Sequence, residues 1–233
     1  MSTAAVIGST GLVGSHILST LLASEGVVGV HTISRRAPKS TGAKLHADID
    51  SDTTTWAAKL STIKPAPITV FSALGTTRQQ AGGIADQWKI DHDLNIELSK
   101  AAKAQGVRNF VFVSSAGTRG MLSNHVPYSR MKIGVEDTIK ALGFDHAVIL
   151  RPGMILGERE KAHQGAWLMF AAINTVGKFV GQGAKDMLGQ EAEVIAKAAV
   201  HAARIIEEGK APEKYWVLEQ DDIIRLGRTE WKD

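Results

Sequence analysis

The chain has 233 residues, of which 44% are hydrophobic and 22% are charged. This composition is ordinary for a soluble globular protein, and the length suits one large α/β domain or two small ones. Cysteine is absent, which excludes disulfide bonds, thiolate catalysis and cysteine-ligated zinc. The formal net charge is only +3 and the basic residues are scattered among acids, so we expect no nucleic-acid partner.

The residue pattern argues against a membrane-spanning protein and against a metalloprotein. No apolar run approaches the ~20 residues that a membrane-spanning helix requires. The eight histidines form no HExxH pair or similar ligand pattern, so no metal is predicted. A predicted strand begins almost at the N-terminus of the sequence, so we expect no signal or transit peptide ahead of the fold.

Strand-like and helix-like segments alternate along the chain. Short apolar runs predict strands over residues 3–7, 27–33, 44–47, 68–73, 110–114, 147–150 and 214–218. Amphipathic spacing predicts helices over residues 12–24, 56–60, 86–105, 128–142, 165–176 and 190–208. This order predicts an α/β fold with a doubly wound parallel sheet and right-handed crossovers. We expect a single domain, with a Rossmann core over residues 1–160 and a small substrate-covering region over residues 161–233.

The first predicted strand runs into a glycine-rich turn that opens the first predicted helix. The turn is a GxxGxxG run and consists of Gly8, Ser9, Thr10, Gly11, Leu12, Val13 and Gly14. In such a turn the first glycine permits a tight bend, the second lets the backbone approach a diphosphate, and the third lets helix and strand pack closely. The free N–H groups of the helix N-terminus then favour an anion. The strand–turn–helix context predicts a dinucleotide site; the alternative is a glycine-rich turn without a ligand.

The end of the second predicted strand distinguishes NADP(H) from NAD(H). It reads Ser34, Arg35, Arg36, where an NAD site usually places an acid for the ribose hydroxyl. Two guanidinium groups suit the 2′-phosphate of NADP(H) instead, so NADP(H) is preferred and NAD(H) is second. The alternative is that both arginines are solvated loop charges. After the third strand, Asp48 would accept a hydrogen bond from the adenine amino group and Ile49 would pack on the ring, unless Asp48 is a turn residue.

Tyr128 and Lys132 lie four residues apart, on one face of a predicted helix. An ammonium group one turn from a phenol favours the ionised phenol, so Tyr128 is expected to act as an acid or base. Ser115, at the end of the preceding strand, would hydrogen-bond a substrate carbonyl. We therefore predict Ser115, Tyr128 and Lys132 as catalytic residues, with Lys132 also holding the nicotinamide ribose. The alternatives are a surface tyrosine and, for the neighbouring Ser114, a hydroxyl satisfied by local backbone.

These motifs resemble the short-chain dehydrogenase/reductase superfamily over about the first 160 residues. Four stretches narrow the resemblance to the atypical NAD(P)-binding branch that includes the Tat-interacting oxidoreductase-like proteins: ALGTTR from Ala73, QWKIDHDLN from Gln87, VSSAG from Val113 and LRPG from Leu150. Within that branch the chain is most similar to a fungal family assigned to the mitochondrial outer membrane. The resemblance implies a peripheral location on the cytosolic face of that membrane; otherwise the protein would be cytoplasmic.

The resemblance also assigns residues around the cofactor. It implies cofactor contacts for Ala73, Leu74, Gly75 and Ser114, a position near the nicotinamide for Pro152, Gly153 and Met154, and a substrate-side position for Thr76 and Arg78. One position departs from the superfamily pattern. Many reductases carry an asparagine on the helix before the serine strand, where this chain has Asp91, with Asn95 one turn later. Whether either residue orients water or Lys132 stays open at this point.

Three functions follow from these assignments. The favoured one is an NADP(H)-dependent oxidoreductase that transfers a hydride between nicotinamide and a carbonyl or alcohol, with Tyr128 as proton donor or acceptor. The alternative is a non-catalytic NADP(H)-sensing or scaffold protein that binds a protein partner. The third is an epimerase or dehydratase that uses the same bound cofactor. We expect a small-molecule substrate, and the resemblance adds a homodimer and peripheral membrane association.

Overall fold

The computed structural model describes residues 2–120, 126–157 and 189–232. The predicted helix over residues 165–176, with Trp167, Met169 and Phe170, lies outside the described residues. Nine strands are described, and in chain order they are β1 (Ser2–Ile7), β2 (Val27–Ser34), β3 (Leu45–Ile49), β4 (Thr69–Ser72), β5 (Asn109–Val113), β6 (His146–Leu150), β7 (Met154–Leu156), β8 (Gly189–Glu191) and β9 (Tyr215–Leu218).

Seven of these strands form one parallel sheet, in the order β3-β2-β1-β4-β5-β6-β9. The order reverses between β1 and β4, because the chain first builds outward through β2 and β3 and then continues on the other side of β1. In such a sheet the ligand crevice lies outside the carboxyl ends of the two strands at the reversal. The doubly wound parallel sheet predicted from the sequence is confirmed.

Eight α-helices are described, and they connect the strands. They are α1 (Leu12–Ala23), α2 (Trp56–Thr62), α3 (Arg78–Ala81), α4 (Ile84–Trp88), α5 (Asn95–Gln105), α6 (Pro127–Leu142), α7 (Ala192–Glu207) and α8 (Gln220–Ile224). Gly106 and Gly143 end α5 and α6 in the left-handed conformation, with φ of 91° and 62°. The described helix ends fall within a few residues of the predicted ones, except in the long helix over residues 86–105.

The helices cover both faces of the sheet, and the strand residues alternate between the two cores. In β5, Val111 and Val113 belong to the core that includes α1 and α7, whereas Phe110 and Phe112 belong to the core that includes α2, α5 and α6. All five residues of β5 are buried. A near-continuous apolar run is what a parallel strand between two helical layers requires.

The long predicted helix over residues 86–105 is not a regular α-helix. A π-helical turn, Lys89–Leu94, separates α4 from α5. The Asn95 side-chain amide donates hydrogen bonds to the carbonyl groups of Ile90 and Asp91, at 3.1 and 3.3 Å, within this wider turn. The amide thus supplies donors at the point where the regular backbone pattern is interrupted. Turns of this kind occur frequently at functional sites.

The structure corrects the predicted division of the chain at residue 160. β9 joins β6 as the seventh strand of the sheet, and α7 packs against α1 on one face of it. Ala196, Ala199 and Ala203 are buried on α7, and their small side chains allow the two helices to approach closely. Both α7 and β9 therefore belong to the Rossmann core.

Candidate cofactor and active site

The glycine-rich turn connects β1 to α1 at the reversal of the sheet order. Gly8 has a φ of +82°, and a Cβ atom there would lie 2.7 Å from the carbonyl oxygen of Ala73, just after β4. A Cβ atom on Gly14 would collide with the carbonyl oxygen of Gly8. The N–H of Gly11 donates to that same carbonyl at 2.9 Å. The first and third glycines of the run, Gly8 and Gly14, therefore cannot be replaced without strain. The turn stays compact at the place where a diphosphate would approach.

The N-terminus of α1 is suited to an anion. Gly11 occupies the N-cap position, no side chain caps the helix, and its first turn holds no acidic residue. Ser9 is 1% exposed, and its hydroxyl has no hydrogen-bond partner among the described residues. The partial positive charge of an uncapped helix N-terminus attracts phosphate groups. The glycine turn, the uncapped helix and the unpartnered hydroxyl together fit the diphosphate of a dinucleotide.

The predicted adenine side lies at the ends of β2 and β3. The Ser34 hydroxyl donates to the carbonyl of Arg36 at 2.7 Å, which fixes the turn that follows β2. Arg35 and Arg36 are exposed. Ile49 lies beside Ser34 in the parallel register, and its side chain is 56% exposed. An apolar surface next to two guanidinium groups is the arrangement predicted for an adenosine 2′-phosphate.

Asp48 has a partner that sequence reasoning missed. Its carboxylate lies 2.6 Å from the Lys59 ammonium group on α2, and Lys59 also contacts Asp50 at 2.9 Å. Hydrogen bonds from Thr55 and Lys59 lower the pKa of Asp50 to about 2. These ion pairs tie α2 to β3, so a structural role accounts for Asp48 at least as well as the predicted contact with adenine.

The π-helical turn holds the loop that follows β4. Asp91 Oδ1 accepts a hydrogen bond from the Thr76 N–H at 2.8 Å, and the Gln87 amide donates to the Thr76 carbonyl at 3.1 Å. A Cβ atom on Gly75 would lie 3.0 Å from Asp91 Oδ1. Arg78, predicted on the substrate side, begins α3 and is exposed. The same loop carries three of the predicted cofactor residues, which are Ala73, Leu74 and Gly75.

The predicted catalytic residues gather around the carboxyl end of β5. Lys132 is 4% exposed; its ammonium group donates to the carbonyl of Val113 at 3.2 Å and lies 4.8 Å from the centre of the Phe112 ring. Ser115 follows two residues after Val113 and is half-buried. Tyr128 lies one helical turn before Lys132, in the first turn of α6, and is 38% exposed. The lysine is thus fixed inside the protein while the phenol stays accessible.

Asp91 and Lys132 are both buried. Asp91 is 1% exposed, and its Oδ2 atom has no hydrogen-bond partner among the described residues. Burial raises the pKa of Asp91 above its ordinary value of 3.8, and the charge of Lys132 and the N–H of Thr76 only partly oppose this rise. Asn95, by contrast, accepts a hydrogen bond from the Ser72 hydroxyl at 2.7 Å and donates to backbone carbonyls. Asn95 therefore has a structural role.

A buried charge network next to these residues was missed by sequence reasoning. Glu136 is fully buried and accepts hydrogen bonds from the Ser114 hydroxyl at 2.6 Å, Arg151 at 2.6 Å and Arg119 at 3.0 Å. Burial alone would raise the pKa of Glu136, but the bonds from Arg151 and Ser114 hold it below its ordinary value of 4.5. The Ser114 hydroxyl is thus bound by a side chain and not by local backbone. The signal in the sequence was the four-residue spacing from Lys132 to Glu136.

The segment predicted to lie near the nicotinamide consists of Pro152, Gly153 and Met154. Contacts on two sides hold it in place. β7 pairs in parallel with β8, and the Gln190 side-chain carbonyl accepts a hydrogen bond from the Gly153 N–H at 2.7 Å. The Pro152 carbonyl accepts one from the Ala116 N–H, also at 2.7 Å. The second bond joins this segment to the loop that carries Ser115. Neither β7 nor β8 was predicted, because each is only three residues long.

A family model matches most of the chain. The NAD dependent epimerase/dehydratase family matches residues 4–215, a range that contains every predicted site residue. The chain belongs to the NAD dependent epimerase/dehydratase family. A nicotinamide dinucleotide is accordingly the ligand to consider for the glycine turn.

Fungal proteins are similar to the chain along all or nearly all of their length. The Chaetomium globosum protein named "Protein FMP52, mitochondrial" is 65% identical over 233 residues, which cover 100% of both chains. The Neurospora crassa protein named "Protein fmp-52, mitochondrial" is 62% identical, over 98% of this chain and 96% of the relative. The predicted relationship to a fungal mitochondrial family is confirmed.

A solved epimerase structure shares the fold. A UDP-glucuronic acid 4-epimerase from Bacillus cereus, in complex with UDP-glucuronic acid and NAD, gives a TM-score of 0.66 at 16% identity. The comparison covers 93% of this chain and 76% of the epimerase. The likeness shows that the two proteins share the Rossmann fold.

Two other features are absent from the described ranges, 2–120, 126–157 and 189–232. Within these ranges no three His, Asp or Glu side chains come together in a way that would hold a metal ion. No helix within them combines the length and the apolar character needed to cross a membrane.

Proposed function

We propose that this family member is an NADP(H)-dependent oxidoreductase that acts on a carbonyl or alcohol substrate. The observation that carries the proposal is the glycine turn, where Gly8 and Gly14 leave no space for a side chain and α1 presents an uncapped N-terminus. When bound, the nicotinamide supplies or accepts the hydride. Family membership supports a nicotinamide cofactor, and the side chains near β5 support proton transfer beside it.

The residues near β5 would divide the remaining chemistry among them. Lys132, fixed at the carbonyl of Val113, would hold the nicotinamide ribose and favour the ionised form of Tyr128. Tyr128 would pass a proton to or from the substrate oxygen. Ser115 would donate a hydrogen bond to that oxygen and stabilise the negative charge that develops there.

The preference for NADP(H) rests on the adenine side of the site. Arg35 and Arg36 would bind the 2′-phosphate through charge-assisted hydrogen bonds. The exposed Ile49 side chain would pack on the adenine ring, and the ion pair between Asp48 and Lys59 would hold β3 in place beside it. Pro152, Gly153 and Met154 would border the nicotinamide, on the segment that Gln190 fixes.

Two measurements test this proposal. Fluorescence titration should show tighter binding of NADPH than of NADH. NADPH consumption with aldehydes, ketones and quinones should then fall by about 100-fold or more in Tyr128→Phe, which is the size of a lost proton-transfer residue. The matched control is Tyr215→Phe, because Tyr215 is the other of the two tyrosines and lies at the start of β9. Full turnover in Tyr128→Phe, or an equal loss in both variants, would contradict the assigned role.

An epimerase or dehydratase is the second candidate, and the family description and the NAD-bound 4-epimerase favour it. In such an enzyme the same residues would move protons while the cofactor returns to its starting state. The purified protein would then retain a nicotinamide dinucleotide and convert substrate without net consumption of NADPH. Tight binding with neither kind of turnover would instead favour the sensing or scaffold protein.

We further propose a peripheral attachment to the cytosolic face of the mitochondrial outer membrane. The names of the fungal relatives support the organelle. In isolated fungal mitochondria, we expect sodium carbonate to release the protein and added protease to degrade it without detergent. Protection from protease in intact mitochondria would contradict this location.

A further inference from the structure

His31 and His46 form a stacked pair on two neighbouring strands at the edge of the sheet. His31 lies in β2 and His46 in β3, directly opposite each other in the parallel register. Their rings are inclined by only 20°, with 4.8 Å between the ring centres. β3 is the outermost strand on this side and, within the described residues, pairs with one neighbour, β2. The contact between the two rings therefore affects how firmly β3 is held.

The two imidazole rings lie at different depths. Ile33, two residues after His31 and so on the same face of β2, belongs to the core that includes α2. His31 is half-buried on that face, whereas His46 is exposed. A Cβ atom on Gly29 would lie 3.8 Å from His46 Nε2, so the His46 ring packs beside Gly29 of β2. The pair is thus a packed contact between the strands and not two separately solvated rings.

Acid acts against this contact. Burial and the charge of His46 lower the pKa of His31 below its ordinary value of 6.5. If β3 separated from β2, both rings would lie in water and His31 would regain its ordinary pKa. The separated form therefore binds more protons than the paired form once the pH falls below 6.5. Pairing is fully favoured above that pH and loses part of its advantage below it.

The charged groups beside the pair keep their charge in mildly acidic solution. Among the described residues, Lys59 on α2 and Asp48 on β3 line the same cavity as both histidines. Lys59 lies 2.6 Å from Asp48 and 2.9 Å from Asp50. Hydrogen bonds lower the pKa of Asp50 to about 2 and raise the pKa of Lys59. The histidines are therefore the members of this cluster that gain charge between about pH 7.5 and 5.5.

We propose that the stacked pair His31–His46 is an acid-sensitive contact, which holds β3 in the sheet in neutral solution and loosens it, together with the adenine side of the cofactor site, in mildly acidic solution. β3 ends at Ile49, three residues after His46. The link to the cofactor rests on the proposed function, because that function assigns Ile49 to the adenine ring. The loosening of β3 itself requires no cofactor.

Hydrogen exchange of the β3 amides measures the loosening directly. We would compare peptides that cover β3 with peptides that cover β9, the strand at the opposite edge of the sheet, at about pH 7.5 and 5.5. After correction for the intrinsic pH dependence of exchange, we expect protection of β3 to fall at least about threefold at the lower pH. One extra proton in the separated form allows up to about tenfold per pH unit. Protection of β9 should change by less than about 1.5-fold.

Three variants identify the group that takes up the proton. His31→Gln should abolish the acid response of β3, and His46→Gln, at an exposed position, should reduce it because burial of His31 remains. The matched control is His16→Gln, on α1 at the other face of the sheet, which should keep the full response. A urea transition at about pH 7.5 verifies that each variant is folded.

Bound NADPH tests the link to the cofactor site. At about 100 times its Kd, NADPH should raise the protection of β3 amides at least about tenfold, because the separated strand no longer presents Ile49 to the adenine ring. Protection of β9 should rise by less than about twofold.

The outcomes separate this inference from the proposed function. Equal falls of protection in β3 and β9, no fall in β3, or a full acid response in His31→Gln overturns the acid-sensitive contact. Unchanged protection of β3 in saturating NADPH overturns its link to the adenine side and leaves the acid response standing. A chain that binds no NADPH contradicts the proposed function, whereas the cofactor-free exchange still decides whether acid loosens β3.

Discussion

Arg35 and Arg36 follow β2 directly, and both are exposed beside the apolar surface of Ile49. Because both side chains are exposed, substitutions at these positions test the contribution of each arginine to a ligand. Single residues thus carry two kinds of role in this molecule. Some are exposed where the proposed ligand would bind. Others, such as Glu136, are buried and stabilise the surrounding structure through hydrogen bonds.

Replacement of Arg35 and Arg36 by alanine should separate NADPH from NADH. Hydrogen bonds to charged groups contribute about 1.5–3 kcal/mol, so we expect the Kd for NADPH to rise about tenfold or more. The Kd for NADH should stay within about twofold, and fluorescence titration measures both. Arg108→Ala is the control, since Arg108 is exposed before the amino end of β5 and pairs with Asp145 at 3.6 Å. An equal loss of affinity for both cofactors would argue against 2′-phosphate recognition.

Glu136→Gln should destabilise the protein in a pH-dependent way. The substitution leaves Arg151 and Arg119 without their buried carboxylate, which we expect to cost about 3–5 kcal/mol of unfolding free energy at pH 7. Because the pKa of Glu136 is lowered from 4.5, its contribution is present above that pH and is lost as the pH falls through the folded-state pKa. Urea unfolding between pH 3 and 7 measures the difference.

The exposed Glu97→Gln on α5 is the control for that comparison and should change the free energy of unfolding by less than about 0.5 kcal/mol. A loss in Glu136→Gln that is as large at the acid end of the range as at pH 7 would contradict the assigned ion pairs.

At the scale of elements, the turn between β1 and α1 and the π-helical turn before α5 act on the same crevice. The first brings a helix N-terminus to the carboxyl end of β1, and the second brings a carboxylate to the loop after β4. Gly8 lies against Ala73, so the two loops are in direct contact. Displacement of α1 by a small amount should therefore affect both ends of the proposed cofactor site.

Gly14→Ala tests the contact between α1 and the turn. The added Cβ atom would collide with the carbonyl of Gly8, so α1 must shift away from β1. We expect at least about tenfold weaker NADPH binding and a loss of about 1–3 kcal/mol of stability from overpacking. Gly26→Ala is the matched control, because a Cβ atom there would meet nothing within 4 Å. Unchanged NADPH affinity in Gly14→Ala would argue against a diphosphate at this turn.

At the scale of the whole molecule, residues 189–232 complete the core. α7 covers α1, β9 pairs with β6, and Arg151 after β6 pairs with Glu219 after β9 at 2.8 Å. These contacts make the C-terminal segment part of one folding unit with the nucleotide-binding half. Removal of this C-terminal segment should therefore unfold the protein and not merely uncover its site.

A chain that ends at residue 188 should not fold cooperatively. It would lack α7 and β9, and Ile17, Leu18 and Leu21 on α1 would lose their covering helix. Full burial of one such side chain contributes about 1.5–3 kcal/mol, whereas a domain is stable by only about 5–15 kcal/mol in total. Urea titration monitored by tryptophan fluorescence should show no sharp transition.

Two variants of the full chain serve as comparison for the truncation. Ala199→Asp places a charge in the contact between α7 and α1 and should greatly lower the urea midpoint, whereas Glu207→Gln changes an exposed position at the end of the same helix and should leave it unchanged. A cooperative transition in the truncated chain would mean that residues 189–233 only cover the core.

Sequence reasoning predicted most of the described elements, and it proposed site residues only where they lie in motifs. β1, the glycine turn and α1 were predicted because residues close together in the chain determine them. The π-helical turn at Lys89–Leu94 was missed because its amphipathic pattern continues that of the helices on either side. The burial of Glu136 was missed because a charged residue on a helix is expected to face solvent unless its partners are known.

The sequence by itself determined the alternation of strands and helices, the glycine turn and the spacing of Tyr128 and Lys132, since local periodicity and glycine conformation encode these features. Only the tertiary structure decided which side chains meet inside the fold. Asp91 bonds to Thr76 across 15 residues, Ser114 to Glu136 across 22 and Arg151 to Glu219 across 68. Such contacts depend on how the strands are ordered in the sheet, and no short stretch of sequence specifies that order.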